Sequence, residues 1–525
     1  MEKQSFFSKH YVAILIVFVL LISTAIKFIE VKGYNFPFTM DQGRDMTDIR
    51  QMVVTHTPRL VGPTTSINGV LLGPFWYYFN LPPFLLFGGN PAAIVYWQIF
   101  WFQISCLLLF FVLRKKSQSL AFFTSALLLI SPFGFNTARY FWNANSMPIF
   151  TILFFVTLLW SNNSKWKYSP LLVGLMAGLS MQIEAAFGII FFPFLIIYYL
   201  FSSKKLRNIF LTAIGFFLTL IPQALFELRH GFIMTKIFID EFTGKGSMLG
   251  EKTTFLERLT QRWQHLVDIT RHTSHLDANV VFIFTAIAFI VFIYLLVAKK
   301  IRETNKEFTL VTLIFIFTAA IFYLLFPEML KSWYTLGFSV PIIFVDAILL
   351  EYLFRSKNII LKIFSILFVI YSIVSCIRSQ EDYIYHMNSL SQNDPSNLQN
   401  EIADLNWVYQ EANGQGFNLY SYIPSVYDYP NQHVFWWYGT KQYGYQPADI
   451  SYLPNQPEYI KDEAKAWTKQ KPVSDNQLTF LIIETDREMP QREQAWLGNF
   501  AGLCILKQKS FSWNAEVRML SKCNK

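Results

Sequence analysis

At 525 residues, 53% hydrophobic and 18% aromatic but only 15% charged, the chain is too apolar for an ordinary soluble protein of its size. Its formal net charge of +9 comes without a Lys/Arg stripe interleaved with aromatics in a soluble stretch, which argues against a nucleic-acid partner. Four cysteines are too few for a disulfide scaffold.

The apolar residues gather into runs near the length that crosses a hydrocarbon core. The first, Tyr11 to Phe28, follows ten residues that contain Lys3 and Lys9. It is long and lacks a small-residue cleavage site, so it reads as a retained anchor and not as a signal peptide. Further runs lie near 91–113, 119–135, 147–160, 170–184, 186–201, 208–228, 279–298, 308–326, 333–353 and 358–377, about eleven in all. The stretch from Pro170 to Leu200 reads either as two spans or as one span with a re-entrant piece.

Lys and Arg beside a span resist translocation, and they cluster at alternate hinges: Arg114 to Lys116, Lys165 and Lys167, Lys204 to Arg207, Lys299 to Lys306, and Arg355 with Lys357. This side is expected to be cytoplasmic, together with the N-terminus. Residues 30–90, 229–278 and everything after about 378 then lie outside, in a multi-pass protein of the plasma (inner) membrane.

Directly after the first span comes Phe38 to Arg50. If it is helical, three-and-four spacing puts Asp41, Arg44, Asp45 and Asp48 on one face, a carboxylate cluster around a cation. The structural alternative is an exposed helix start with Asp41 as its cap and Arg44 paired to Asp45 or Asp48. Residues 60–88 are apolar but broken by Gly and Pro, and read as a segment lying in the membrane interface. In the loop 229–278 the Lys and Arg residues either grip a lipid phosphate or form a solvated helix from Thr254 to His272, and the helix is the simpler reading.

After about residue 378 the pattern changes to that of an α/β domain. A polar helix Leu398–Ala412 is expected, then a strand Phe417–Tyr422, a helix around 460–469, an apolar strand Leu478–Ile483, a helix around 492–500 and a closing hairpin. That hairpin would set Cys504 opposite Cys523, and the sequence leaves open whether they are bonded. The aromatic passage Tyr420 to Tyr438 suits core packing, a membrane interface or stacking on sugars.

The Asp41-Gln42-Gly43-Arg44 helix start, the segment Gly73-Pro74-Phe75-Trp76-Tyr77-Tyr78 and the ending Phe87-Gly88-Gly89-Asn90-Pro91 together resemble the multi-span glycosyltransferases of the C-type fold, the protein O-mannosyltransferase and aminoarabinose-transferase group. Weaker likeness runs through Ser131 to Pro148, Gly178 to Glu184, Pro222 to His230 and Lys331 to Tyr334, and does not reach the C-terminal α/β domain. The resemblance implies a polytopic α-helical enzyme that moves a sugar from a polyprenyl-phosphate donor to an envelope glycan, lipid or protein acceptor, with Asp41 as general base. A polyprenyl phosphate is already a good leaving group, so the protein has to deprotonate the acceptor and neutralise departing phosphate. Asp45 and Glu184 join Asp41 as catalytic candidates. Arg44, Arg139, Arg229 and Lys331, with Tyr334 as a hydrogen-bond donor, are candidates for donor phosphate.

Relatives often carry a second acidic residue in a loop that here holds the amides Asn143 and Asn145. No cofactor is firmly expected, and a divalent cation on Asp41 or Glu184 stays open. An intramembrane Glu184 either serves function or pairs with Arg139 or another helix, and Asp346 reads as structural. A transporter reading would use Glu184 and the Gly/Pro-broken segment as a pathway, but no internal repeat is visible and the long loops share one side. An envelope scaffold would leave the Asp41 cluster without a purpose.

Overall fold

The structure, a computed structural model, describes residues 6–201, 205–243, 254–299, 303–326, 329–390, 394–424, 427–454, 465–475 and 477–523. Each apolar run of the sequence forms helix. Among the described residues, seven helices are long and apolar enough to cross a membrane, including Tyr11–Glu30, Pro91–Leu113 and Ile359–Ser389. Two further runs are bent pairs, Gln118–Leu129 with Pro132–Arg139 at 50° and Lys205–Thr219 with Ile221–Arg229 at 51°. The last two are the shorter apolar helices Ser169–Ile183 and Ala185–Leu200, so the stretch from Pro170 to Leu200 is two helices meeting at Glu184.

The chain divides into two compact units. The first comprises Met1–Phe28, Arg59–Trp76 and Gln98–Gln380. Its breaks have local causes. Pro132 and Pro222 stand at the starts of the second helices of the bent pairs, where a missing N–H is tolerated but the preceding helix cannot continue. Carbonyls released at a break need other donors. At Leu129 the carbonyl accepts from Ser23 Oγ at 2.6 Å and Lys27 Nζ at 3.2 Å. At Ile183 it accepts from Asn143 Nδ2 at 2.8 Å, and at Thr219 from Gln182 Nε2.

Close helix approach supplies much of the remaining order. Gly174 and Gly178 lie four apart on one face of Ser169–Ile183 and meet the helix Lys205–Thr219. A Cβ on Gly174 would stand 2.0 Å from the Thr212 carbonyl oxygen, and one on Gly178 2.2 Å from Thr219 Oγ1. Small residues at this spacing let two apolar helices reach backbone contact, which is how helices gain dispersion energy where no water can be expelled.

The second unit comprises Ile29–Pro58, Tyr77–Trp97 and Glu381–Lys525. Its tail builds a five-stranded sheet from β1 (Asn418–Tyr422), β2 (Asp449–Ser451), β3 (Thr479–Glu484), β4 (Leu503–Ser510) and β5 (Ala515–Lys522), in the order β2-β1-β3-β5-β4. β1 runs parallel to β2 and β3, whereas β5 is antiparallel to both β3 and β4. β3 is central and covered on both faces, which explains its continuous apolar run. One face packs Tyr420, Tyr422, Leu481, Ile483 and Leu520 beneath Trp496 and Phe500 of the 490–500 helical segment. On the other, Phe480 meets Trp407 of the helix Leu398–Ala412 edge-on at 6.2 Å. Cys504 and Cys523 are disulfide-bonded across the closing hairpin. The helix expected around 460–469 lies partly outside the described residues, and 465–469 is not α-helical.

This domain buries an acidic group. Glu401 and Asp404 are 5% and 3% exposed on one face of Leu398–Ala412. Burial, then the charges of Glu484, Asp404 and Asp394, push the Glu401 carboxyl well above its usual range. A folded-state value raised above the unfolded one means that stability is present at low pH and lost as pH rises past the ordinary glutamate value. Melting temperatures recorded between about pH 5 and 9 should fall toward the alkaline end. Glu401→Gln should flatten part of that fall, and a variant that tracks the native curve would contradict the assignment.

Candidate active site

The helix Met40–Thr55 of the second unit begins where Thr39, extended at φ −84° and ψ −178°, exchanges hydrogen bonds with Gln42 in a capping box. The Thr39 N–H donates to Gln42 Oε1 at 2.8 Å. The cap is therefore Thr39 and not Asp41, because a Thr followed three residues later by Gln satisfies two orphan donors reciprocally. The Asp41 carboxylate is left in the first turn, where the helix dipole favours negative charge.

Arg44 bridges two of the three carboxylates. Its Nη1 lies 2.9 Å from Asp41 Oδ1, and its Nη2 lies 2.9 Å from Asp45 Oδ1. The two acids differ in access: the Asp41 side chain is 30% exposed and that of Asp45 only 1%. Burial works against the Arg44 charge, but the carboxylates of Asp45 and Asp41 outweigh it and raise its pKa, so the guanidinium is a permanent cation. Asp48 has a partner of its own. The buried Tyr77 hydroxyl donates to Asp48 Oδ2 at 2.6 Å, and burial followed by the charges of Asp48 and Asp45 keeps that phenol protonated.

The back of the helix is fixed by the aromatic passage. A Cβ on Gly43 would stand 2.4 Å from the Pro430 nitrogen, so the helix touches the backbone of Tyr429–Val434 directly. Arg50 is fully buried, donates to the Gln432 carbonyl at 2.9 Å and lies 5.6 Å from the ring centroids of both Trp436 and Trp467. His433 is fully buried, with Nε2 2.8 Å from the Gly89 carbonyl oxygen. Burial, then Arg50, push its imidazole down to about 3, so it is neutral here. Core packing, among the three uses the sequence allowed, is what residues 429–437 do.

The remaining candidates belong to the first unit. Arg139 ends the helix Pro132–Arg139, half-buried, with Nη2 donating to Asn136 Oδ1 at 2.5 Å and Nη1 3.5 Å from Gln380 Oε1. Arg229 ends Ile221–Arg229 and is exposed. Lys331 is exposed, its Nζ 5.3 Å from the Trp333 ring centroid, and precedes the 3-10 helix Ser332–Phe338 that buries Tyr334. Glu184 is 8% exposed and accepts from the Ala186 N–H at 3.2 Å, capping the helix that follows it. Among the described residues it makes no ion pair with Arg139. Asn143 and Asn145 also bond to backbone, to the Ile183 and Tyr140 carbonyls. Among the described residues no three His, Cys, Asp or Glu are placed to hold a metal ion.

Sequence reasoning missed one feature of this unit, a cavity of about 530 Å³ between the loop helix Phe255–Arg271, the helices Ala278–Val297 and Glu303–Leu325, and the segment 330–345. Leu266, Phe289, Ile316, Phe338 and Val345 are typical of its wall. Its basic members are tied back to carbonyls: Arg262 donates to those of Tyr323 and Phe326, and His265 Nε2 lies 2.8 Å from that of Leu330. The helix there is the one expected from Thr254 to His272, but its cations are not all solvated. The helical spacing of Arg262, Leu266 and Ile269 was the available signal.

Residues 73–226 match the protein family described as dolichyl-phosphate-mannose-protein mannosyltransferase. Among solved structures the chain is similar to ArnT from Cupriavidus metallidurans bound to undecaprenyl phosphate, with 12% identity and a TM-score of 0.57 over 96% of this chain and 98% of that one. The same enzyme in the apo state gives 12% identity and a TM-score of 0.57 over 96% and 97%. No curated protein matches the sequence. A family match that begins at Gly73 and a fold shared along nearly the whole length agree: the chain has the fold of the C-type membrane glycosyltransferases, and residues 73–226 carry its likeness to the protein mannosyltransferases.

Proposed function

We propose that this enzyme takes its sugar from a polyprenyl-phosphate donor and passes it, with inversion, to an acceptor at the outer face of the plasma membrane, with Asp41 as general base. The observation that carries the proposal is the unequal burial of the two acids on Arg44. Asp41 keeps an accessible oxygen edge, whereas Asp45 is enclosed and serves to hold the guanidinium. Asp45 is therefore a positioning residue in this reading.

Asp41 takes the proton of the acceptor nucleophile as that atom bonds to the anomeric carbon. The bond from that carbon to the phosphate oxygen breaks with its electron pair, and polyprenyl phosphate leaves as an anion. Arg139, Arg229 and Lys331 are the proposed cations for that phosphate, with the Tyr334 hydroxyl as a neutral donor. The apolar cavity of about 530 Å³ suits the isoprenoid chain, whose burial gains about 0.8 kcal/mol per CH₂ group. Orientation follows the Lys/Arg hinges, which put the N-terminus in the cytoplasm and the C-terminal domain outside.

Transfer from a panel of labelled polyprenyl-phosphate sugars in proteoliposomes tests this reading. Asp41→Asn should lose about a hundredfold or more in kcat while folding normally, as expected on removal of a general base. The product should carry the anomeric configuration opposite to the donor. Equal transfer by native and variant chains would move the base elsewhere. Arg44→Ala should destabilise the chain by about 3 kcal/mol because it removes one member of a buried ion pair, and denaturant titration would register it.

A further inference from the structure

Lys27 is a cation in the first apolar helix with 0% exposure, a placement that costs free energy in a hydrocarbon layer and that the reaction described above does not use. Its surroundings join the two halves of a bent span. Its Nζ donates to Ser23 Oγ at 2.6 Å and to the carbonyl of Leu129, the last residue of Gln118–Leu129. The same atom lies 3.9 Å from the ring centroid of Phe135, on the helix Pro132–Arg139 that follows the break. Gln103 supports the arrangement by donating to Ser23 Oγ at 3.2 Å and Thr24 Oγ1 at 2.9 Å.

Phe135 and Arg139 are one turn apart and share a face of their helix. Phe135 meets the His275 ring edge-on at 5.8 Å, and His275 Nε2 lies 3.4 Å from Gln380 Nε2, whose Oε1 faces Arg139. His275 also feels both cations: burial, then Arg139, then Lys27, push its imidazole down to about 4. A contiguous set of contacts thus runs from the first helix, through the break, to the arginine at its far end.

We infer that Lys27 is a positioning residue that clamps the break between Leu129 and Pro132 and so aims Arg139. The ammonium satisfies a carbonyl that the broken helix releases, and its attraction to the Phe135 ring fixes the angle at which the next helix departs. The inference rests on the proposed role of Arg139 at donor phosphate.

The test uses the full chain in proteoliposomes, with a polyprenyl-phosphate sugar it accepts, and compares Lys27→Met, Lys27→Arg, Arg139→Ala and the Lys27→Met/Arg139→Ala double variant. Amide exchange over residues 130–139 is followed in parallel. Lys27→Met should raise KM for the donor by about tenfold, with kcat changed by no more than about twofold, since a small misplacement of a binding group acts mainly on the interaction it makes. Exchange over 130–139 should quicken, and Lys27→Arg should restore most of the native KM. In the Arg139→Ala background the Lys27 change should add nothing.

Unchanged exchange in Lys27→Met would overturn the clamp, and an equal rise in KM on top of Arg139→Ala would overturn the aiming. A native KM in Arg139→Ala would sink the phosphate role of Arg139 and the aiming with it, while faster exchange would still uphold the clamp. Should Lys27→Met fail to fold, Phe135→Leu keeps the charge and its hydrogen bonds but removes the ring, and should shift KM and exchange the same way by a smaller amount.

Discussion

In a hydrocarbon layer no water serves a backbone carbonyl that a helix has let go, and three breaks in the apolar helices of the first unit are built around that constraint. At each of the three, one released carbonyl finds a polar side chain from another part of the chain: Ser23 and Lys27 at Leu129, Asn143 at Ile183, Gln182 at Thr219. These polar residues sit inside apolar helices or tight loops, where they would be expensive without such partners. The candidate residues Arg139, Glu184 and Arg229 all lie at a break or at the end of the short helix that follows one. A basic residue closing a short helix also meets the negative end of its dipole, so both arginines are held by the helix that presents them.

The second unit solves a different problem with the same economy. Its first helix carries three acids within eight residues, and each has a distinct environment. Arg44 ties Asp41 to Asp45, Tyr77 serves Asp48, and Gly43 with Arg50 presses the opposite side onto the aromatic passage. The chemistry available to an acid then follows from access and not from identity. An enclosed carboxylate in an ion pair orients its partner, while an accessible one beside a fixed cation is free to take a proton.

What the sequence made legible is what local pattern encodes. Run length found the apolar helices, alternation and turn residues found β1, β3 and the closing hairpin, and the hairpin in turn brought Cys504 to Cys523. The capping box at Thr39 was also local, three residues from Gln42, but the neighbouring carboxylate hid it. The misses are long-range. Ser23 reaches Leu129 across 106 positions, Asn143 reaches Ile183 across 40, and Tyr77 reaches Asp48 across 29. No periodicity reports such partners. Asn143 stood out as an amide where an acid was expected, and only the fold shows it capping a helix end.

The cavity beside the Phe255–Arg271 helix has a consequence for anyone who purifies this protein. Its wall is almost wholly hydrocarbon, and its basic groups are committed to carbonyls, so it suits flexible alkyl chains and offers little means of telling one from another. Detergent tails and phospholipid acyl chains meet that specification as well as an isoprenoid does. If the cavity takes the donor's isoprenoid chain as proposed, a binding constant measured in long-chain detergent reports a competition between the two.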